Sequence, residues 1–266
     1  MLIALFFGEG NTIAMSRSVG TLSESSLHRE LKLCYAGQGG QTEAEVAGFV
    51  ADGKSADGEY IEIQTGSFGP LKRKARKIAA QGKLRIVYPV IVTKYIEVFT
   101  VRGRCLSRRK SNKRGCPWDL FDVLVYAPEL PLVRGVAIEL ALVDVTERRV
   151  RDGKGSWRRK GVSIRDRQMT ALHGRVCLKR PADYLCFLPF EPGEQFTTAL
   201  FGEKAGIRVA LARKTVYVLC RLGLVEKTGK QGNSLVYQLA PGKKKRRNQP
   251  QLPEISPKKA KRQTTT

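Results

Sequence analysis

Apolar positions recur at helical spacing at the start of the organised chain. Leu27, Leu31 and Cys34 fall at i, i+4 and i+7, which predicts a helix from about Leu27 to Tyr35 capped by Ser25 or Ser26. GQGGQ, Gly37 to Gln41, ends it. The period then drops to two. TEAEVAGFVAD reads as one strand, with Ala44, Val46 and Val50 on one side and Asp52 at its end. Asp52-Gly53 and Asp57-Gly58 mark a hairpin turn, and EYIEIQTG is the return strand. On it Ile61 and Ile63 face a core while Tyr60, Glu62 and Gln64 face away. A helix from about Phe68 to Ala80 carries KRKARK on its exposed side. LRIVYPVIV is an apolar run, broken only by Arg85, and reads as a buried central strand. YIEVFTVRGRCLSRR predicts a further hairpin, WDLFDVLVYAPEL a helix stopped by Pro131, and GVAIELALVDV another strand.

From about Pro181 the pattern changes to short helices. PADYLCFLP is one, Thr197 and Thr198 cap a second, and a longer one runs from about Arg208 to Leu222, with Val209, Val216, Leu219 and Leu222 as its apolar set. VEKTGKQGNSLVYQL then reads as a hairpin. Helix, turn, helix and two-stranded wing is the order of a winged helix-turn-helix. The expected organisation is a poorly ordered segment 1–22, an α/β domain 23–160, a connector 161–180, a winged helix-turn-helix domain 181–240 and a disordered basic tail 241–266.

Charge sharpens the picture. The 266 residues hold 48 Lys+Arg against 24 Asp+Glu, a net charge of +24. Nucleic acid is the expected partner, because bound cations release counterions from phosphates. No stretch approaches the roughly 20 apolar residues of a spanning helix, so no membrane partner is expected. MLIALFF is too short for a signal h-region and lacks a basic n-region, and organised sequence begins late enough that Met15 is an alternative start. The six cysteines have neither C-x2-C nor C-x4-C spacing, and His28 and His173 are the only histidines. Reduced thiols in a cytoplasmic, nucleoid-associated protein are expected, rather than a zinc site or a disulfide framework. From Lys243 onward nine Lys+Arg face Glu254 alone. The runs KKKRR and KKAKR there suit a non-specific DNA arm or an import signal.

The basic positions single out candidate nucleic-acid contacts. These are Lys72 and Arg73 on the helix after the hairpin, Arg108, Arg109 and Lys110 in an acid-free run from Arg102 to Arg114, and Arg158 and Arg159 beside Trp157. Trp157 suits base stacking or anchors its loop onto the core. Arg208, Arg213, Lys214 and Tyr217 on the long C-terminal helix, with Lys227 and Lys230 on the wing, complete the set for duplex DNA.

Glu30 lies inside an otherwise apolar helix stripe: a carboxylate reaching water from its edge, or an acid aimed into a polar site. With Asp52 and Glu62-Ile63-Gln64 it gives an order that resembles the PD-(D/E)XK nuclease superfamily, whose motif is an aspartate, a gap, then an acid, a spacer and usually a lysine. The resemblance implies a restriction-endonuclease-like mixed sheet flanked by helices. It also implies Mg2+- or Mn2+-dependent phosphodiester hydrolysis, with Asp52 and Glu62 as metal ligands and Glu30, Asp52, Glu62 and Gln64 as the catalytic set. Gln64 departs from the pattern, since it orients a water without supplying charge. The chain also resembles a group of uncharacterised bacterial proteins sharing EIQTGSF, LKRK, RRK, GSWRRKG and a C-terminal winged helix, up to about Leu239. The competing expectation is a DNA-binding regulator or adaptor that does not cut.

Overall fold

A computed structural model describes residues 25–244 and 249–253. The expectations for segment 1–22 and Met15, and most of the two basic C-terminal runs, lie outside these residues. Helix α1, Ser26–Ala36, begins where its cap predicts, with Ser25 Oγ accepting from the His28 N–H. The segment read as one strand is two. β1, Gln41–Val46, and β2, Phe49–Lys54, pair antiparallel about Ala47-Gly48, both at positive φ. Alanine is uncommon in that conformation, so the turn left no local signature. Asp52-Gly53, which looks like a turn, lies inside β2, and Asp57-Gly58 alone makes the turn into β3, Tyr60–Ile63.

Helix α2, Leu71–Ala79, buries Leu71, Ala75 and Ile78 and crosses over to β4, Leu84–Thr100, which runs parallel to β3. β5, Cys105–Lys110, folds back antiparallel on the far half of β4. β6, Val136–Arg151, lies parallel to β4 over its whole length. The expected connector is in fact β7, Val162–Leu178, antiparallel to β6. As a half-exposed edge strand it has no continuous apolar run to announce it. The large sheet is mixed, in the order β1-β2-β3-β4-β6-β7, with β5 continuing the β3 edge of β4. Pro89 falls between the end of β3 pairing at Val87 and the start of β5 pairing at Tyr95, where no ladder donor is needed.

One face of the sheet is covered by α1 through Leu27, Leu31, Ile61, Ile63, Val87 and Val143. The other is covered by α2 and by a short helix α3, Leu120–Leu124, flanked by 3-10 turns Pro117–Asp119 and Leu130–Leu132, in place of the single helix expected there. The class is α/β, a mixed multi-stranded sheet flanked by helices.

The C-terminal region begins with a 3-10 turn, Pro181–Phe187, instead of an α-helix. β8 (Phe196–Thr197), α4 (Thr198–Lys204), α5 (Val209–Arg221), β9 (Val225–Gln231) and β10 (Ser234–Leu239) follow, with the strands ordered β8-β10-β9. Val216, Leu219 and Leu222 are buried as expected, but Val209 at the first turn of α5 is exposed. This region shares one apolar core with the sheet: the Phe187 ring lies 4.8 Å from Phe121, and the Trp118 indole donates to the Phe187 carbonyl at 3.2 Å. Part of the expected disordered tail is docked. Gln249 donates to the Ala182 carbonyl at 2.8 Å, and Leu252 packs on the same core.

Candidate functional site

The polar centre forms where β2 and β3 separate. Their pairing ends at Gly53–Ile61. One step on, the Ile63 N–H donates to Asp52 Oδ2 at 2.8 Å, so a side chain takes over from the backbone ladder at the fork. Two residues of α1, one turn apart, reach the same carboxylate: His28 Nε2 at 3.1 Å from Oδ2 and Lys32 Nζ at 3.4 Å from Oδ1. Burial by itself would raise Asp52; the hydrogen bonds from His28 and Ile63, with the charge of Lys32, outweigh it and hold the carboxyl below its ordinary range.

Glu62 points the other way from Ile61 and Ile63, into the α2 layer, and is 7 % exposed. Lys74 of α2 donates to its Oε1 at 2.6 Å, while its Oε2 is buried without a partner. Burial and the nearby charge of Asp52 raise this carboxyl above its ordinary range despite Lys74. Asp52 and Glu62 therefore meet at one fork and repel, one attended from the α1 layer and the other from the α2 layer.

The other two expected members are turned away. Glu30 Oε2 accepts from the Met169 N–H of β7 at 2.6 Å, because a helix carries position 30 to a different side from 28 and 32. Gln64 continues the strand through its N–H to the Val87 carbonyl, and its side-chain amide donates to the Ser67 carbonyl at 2.7 Å. Sequence reasoning missed His28, Lys32 and Lys74. Lys74 stands three residues after Leu71 and four before Ile78, on the buried side of α2, which contradicts the reading of KRKARK as wholly solvent-facing. His28 and Lys32 flank the Leu27–Leu31 stripe at the same spacing. Both signals are legible in hindsight.

The fork holds two carboxylates, and one oxygen of Glu62 is buried without a partner. Among the described residues no three His, Cys, Asp or Glu side chains converge into a metal cluster. An ion there would draw most of its shell from water and a phosphate, as Mg2+ commonly does.

The candidate nucleic-acid contacts divide by their partners. Lys72 pairs with Glu129 at 3.4 Å, and Arg73 lies over the Phe49 ring. Lys214 of α5 pairs with Asp122 of α3 at 2.7 Å, and Arg208 at the N-cap of α5 lies 3.7 Å from the same acid, so these two cations help seat the helix on the sheet domain. Arg213 and Tyr217 of α5 are exposed, as are Lys227 and Lys230 on β9. Arg108 and Lys110 of β5 lie over the Tyr95 ring, Arg109 is exposed, and Arg158 lies over Trp157. Arg159 donates through Nε to the Val162 carbonyl.

No helix among the described residues is long and apolar enough to cross a membrane. The chain is 28 % identical over 152 residues to an uncharacterized protein of Treponema pallidum (strain Nichols). The match covers 57 % of this chain and 61 % of the relative's own length. No solved structure matches. A family model matches residues 25–179, from the cap of α1 to the end of β7, which takes in the whole large sheet and the fork but not α4, α5 and their small sheet. The chain belongs to that family, described as a domain of unknown function, DUF8091.

Proposed function

We propose that the protein binds DNA and hydrolyses phosphodiester bonds at the β2–β3 fork. The observation that carries this reading is Glu62: a buried carboxylate with an orphaned oxygen, held against a second acid and one lysine. Burying such a group costs stability unless it is hydrogen-bonded, and functional sites are where proteins tolerate that cost. Mg2+ or Mn2+, bound by Asp52 and Glu62, would supply charge stabilisation at the phosphoryl oxygens and a more acidic water. Within the chain, His28 and the Ile63 N–H fix the Asp52 carboxylate, and Lys32 favours its ionised form. Lys74 brings to Glu62 the positive charge that Gln64 lacks. From there it can stabilise an attacking hydroxide or the developing phosphoryl charge, once Glu62 has turned toward an ion.

The C-terminal elements support a winged helix-turn-helix reading, with α5 as reader and β9–β10 as wing. Arg213, Tyr217, Lys227 and Lys230 form its duplex-facing set. A second reading, a DNA-binding adaptor that does not cut, draws on Gln64 and Glu30 both being turned from the fork.

The two are separated by incubating the full chain with plasmid and oligonucleotide duplexes in Mg2+, Mn2+ or EDTA. The nuclease reading expects metal-dependent cleavage, lowered by on the order of 10²–10³-fold in Asp52→Asn and in Glu62→Gln. Cleavage that survives both substitutions removes the fork as the centre. Tight duplex binding with no cleavage in either metal supports the adaptor.

A further inference from the structure

Beyond Val87 the sheet continues as a four-stranded blade of β5, β4, β6 and β7, and its far end combines features that neither the fork nor α5 uses. β4 and β6 are parallel and in register to Thr100–Arg151, so the β4–β5 turn and the β6–β7 loop emerge side by side. Each presents an apolar side chain to solvent: Val101 is 73 % exposed and Trp157 83 % exposed. Arg102, Arg104, Lys154, Arg158 and Lys160 neighbour them in sequence, all exposed. The acid of the loop, Asp152, is occupied by the Ser163 hydroxyl, the Lys154 N–H and Arg165.

Trp157 is not loosely held. It opens a 3-10 turn, Trp157–Arg159, closed by the Lys160 N–H on the Trp157 carbonyl at 3.0 Å, with Lys160 in the left-handed region. The turn is tied to β7 by Arg159, and the Arg158 guanidinium lies 5.6 Å from the indole centroid. The fold thus presents an aromatic face that it does not bury, which excludes the reading of Trp157 as an anchor on the core.

We infer that this tip is a stacking platform for an unpaired base, with the blade gripping the adjoining phosphates. The inference rests on the proposed nucleic-acid function and adds to it a substrate class: DNA with a single-stranded or unstacked nucleotide. Aromatic and basic residues together also suit an anionic lipid surface, but here the cations continue down the blade. On one face Arg108 and Arg148 flank Glu97 and lie over Tyr95 and Phe99. On the other, Lys94, Arg149 and Arg167 outnumber the buried Glu147 they surround. A flat membrane would meet only the tip, whereas a polyanion can follow the faces.

The test uses the full chain, a labelled 20-nucleotide single strand, the blunt duplex of the same sequence, and vesicles of phosphatidylserine and phosphatidylcholine. In a Trp118→Phe background, the single strand is expected to quench the emission that Trp157 supplies. Trp157→Ala is expected to weaken single-strand binding by about 5- to 150-fold, the value of one stacked base. It should change duplex binding far less and leave the salt dependence unaltered, since no charge is lost. Trp157→Phe should retain most of the affinity. Single-strand affinity within twofold of the unaltered protein in Trp157→Ala would overturn the platform while leaving DNA binding and cleavage standing. Vesicle binding with a blue-shifted emission, and no quenching by the oligonucleotide, would reassign the tip to lipid. Failure to bind either oligonucleotide would remove this inference and its parent together.

Discussion

Glu62 is under two opposed demands: its burial and the charge of Asp52 favour the protonated acid, while Lys74 favours the carboxylate. The balance leaves its folded-state titration above the ordinary value, which fixes the sign of its effect on stability. A group whose folded pKa is raised stabilises the fold below the unfolded pKa and loses that contribution as pH rises through the folded value. Glu62→Gln is therefore expected to raise the thermal midpoint at pH 7 to 8 relative to the unaltered protein, and to lose this advantage near pH 4. A structural ion pair would show the reverse, a lower midpoint at neutral pH, so thermal melts across pH distinguish the two. Asp52 behaves oppositely, since its lowered value means stability present above the unfolded pKa and lost as acid protonates it. Lys74→Met is expected to lower cleavage by on the order of 10²–10³-fold. Gln64→Ala should matter much less, because its amide is engaged with the Ser67 carbonyl. Equal cleavage rates in Lys74→Met and the unaltered protein would remove the lysine from the proposed chemistry.

Among the elements, α5 shows how a basic helix divides its charges. Lys214 points toward α3 and Asp122, a half-exposed pair worth under about 1 kcal/mol, whereas Arg213 and Tyr217 point to solvent. Arg213→Ala is expected to reduce the slope of log affinity for duplex against log salt by about one. Lys214→Ala is expected to leave that slope unchanged. Titrations at several salt concentrations check both, and a larger effect from Lys214 would reverse the assignment of faces. The helical period placed both residues on α5, but a period cannot say which neighbour packs on which side. The β1–β2 hairpin illustrates the complementary case. Its turn relies on Ala47 at positive φ, a choice that the surrounding sheet enforces and the dipeptide does not advertise.

For the molecule as a whole, the shared core of Phe121, Phe187, Leu219 and their neighbours makes the C-terminal elements part of one packed unit rather than a tethered module. A single unfolding transition in calorimetry is expected, as is severe loss of solubility when 181–253 is deleted; two separated transitions would contradict this coupling. The 13 residues of β4 beyond Val87 extend up to about 40 Å at roughly 3.3 Å per residue. If the tip holds an unpaired base while the fork cuts, scission is expected within about 12 base pairs of it, at roughly 3.4 Å per pair. Mapping cuts on duplexes with one displaced nucleotide measures that offset, and cuts scattered without regard to the nucleotide would uncouple the two sites.

By itself the sequence determined α1, β3, α2, the buried start of β4 and the alternation of the C-terminal helices and hairpin, because each is a local period with its own caps and turns. It also determined the polar residues available at the fork, since Asp52 and Glu62 cannot be explained as core. Only the tertiary structure decided which cations meet them. His28, Lys32 and Lys74 reach the acids through the packing of α1 and α2 on opposite faces, and the same packing carried Glu30 to β7. The length of β6 and β7, and with it the blade that presents Trp157, was likewise invisible locally. Half-exposed strands of mixed charge have no pattern of their own and are held by pairing with their neighbours.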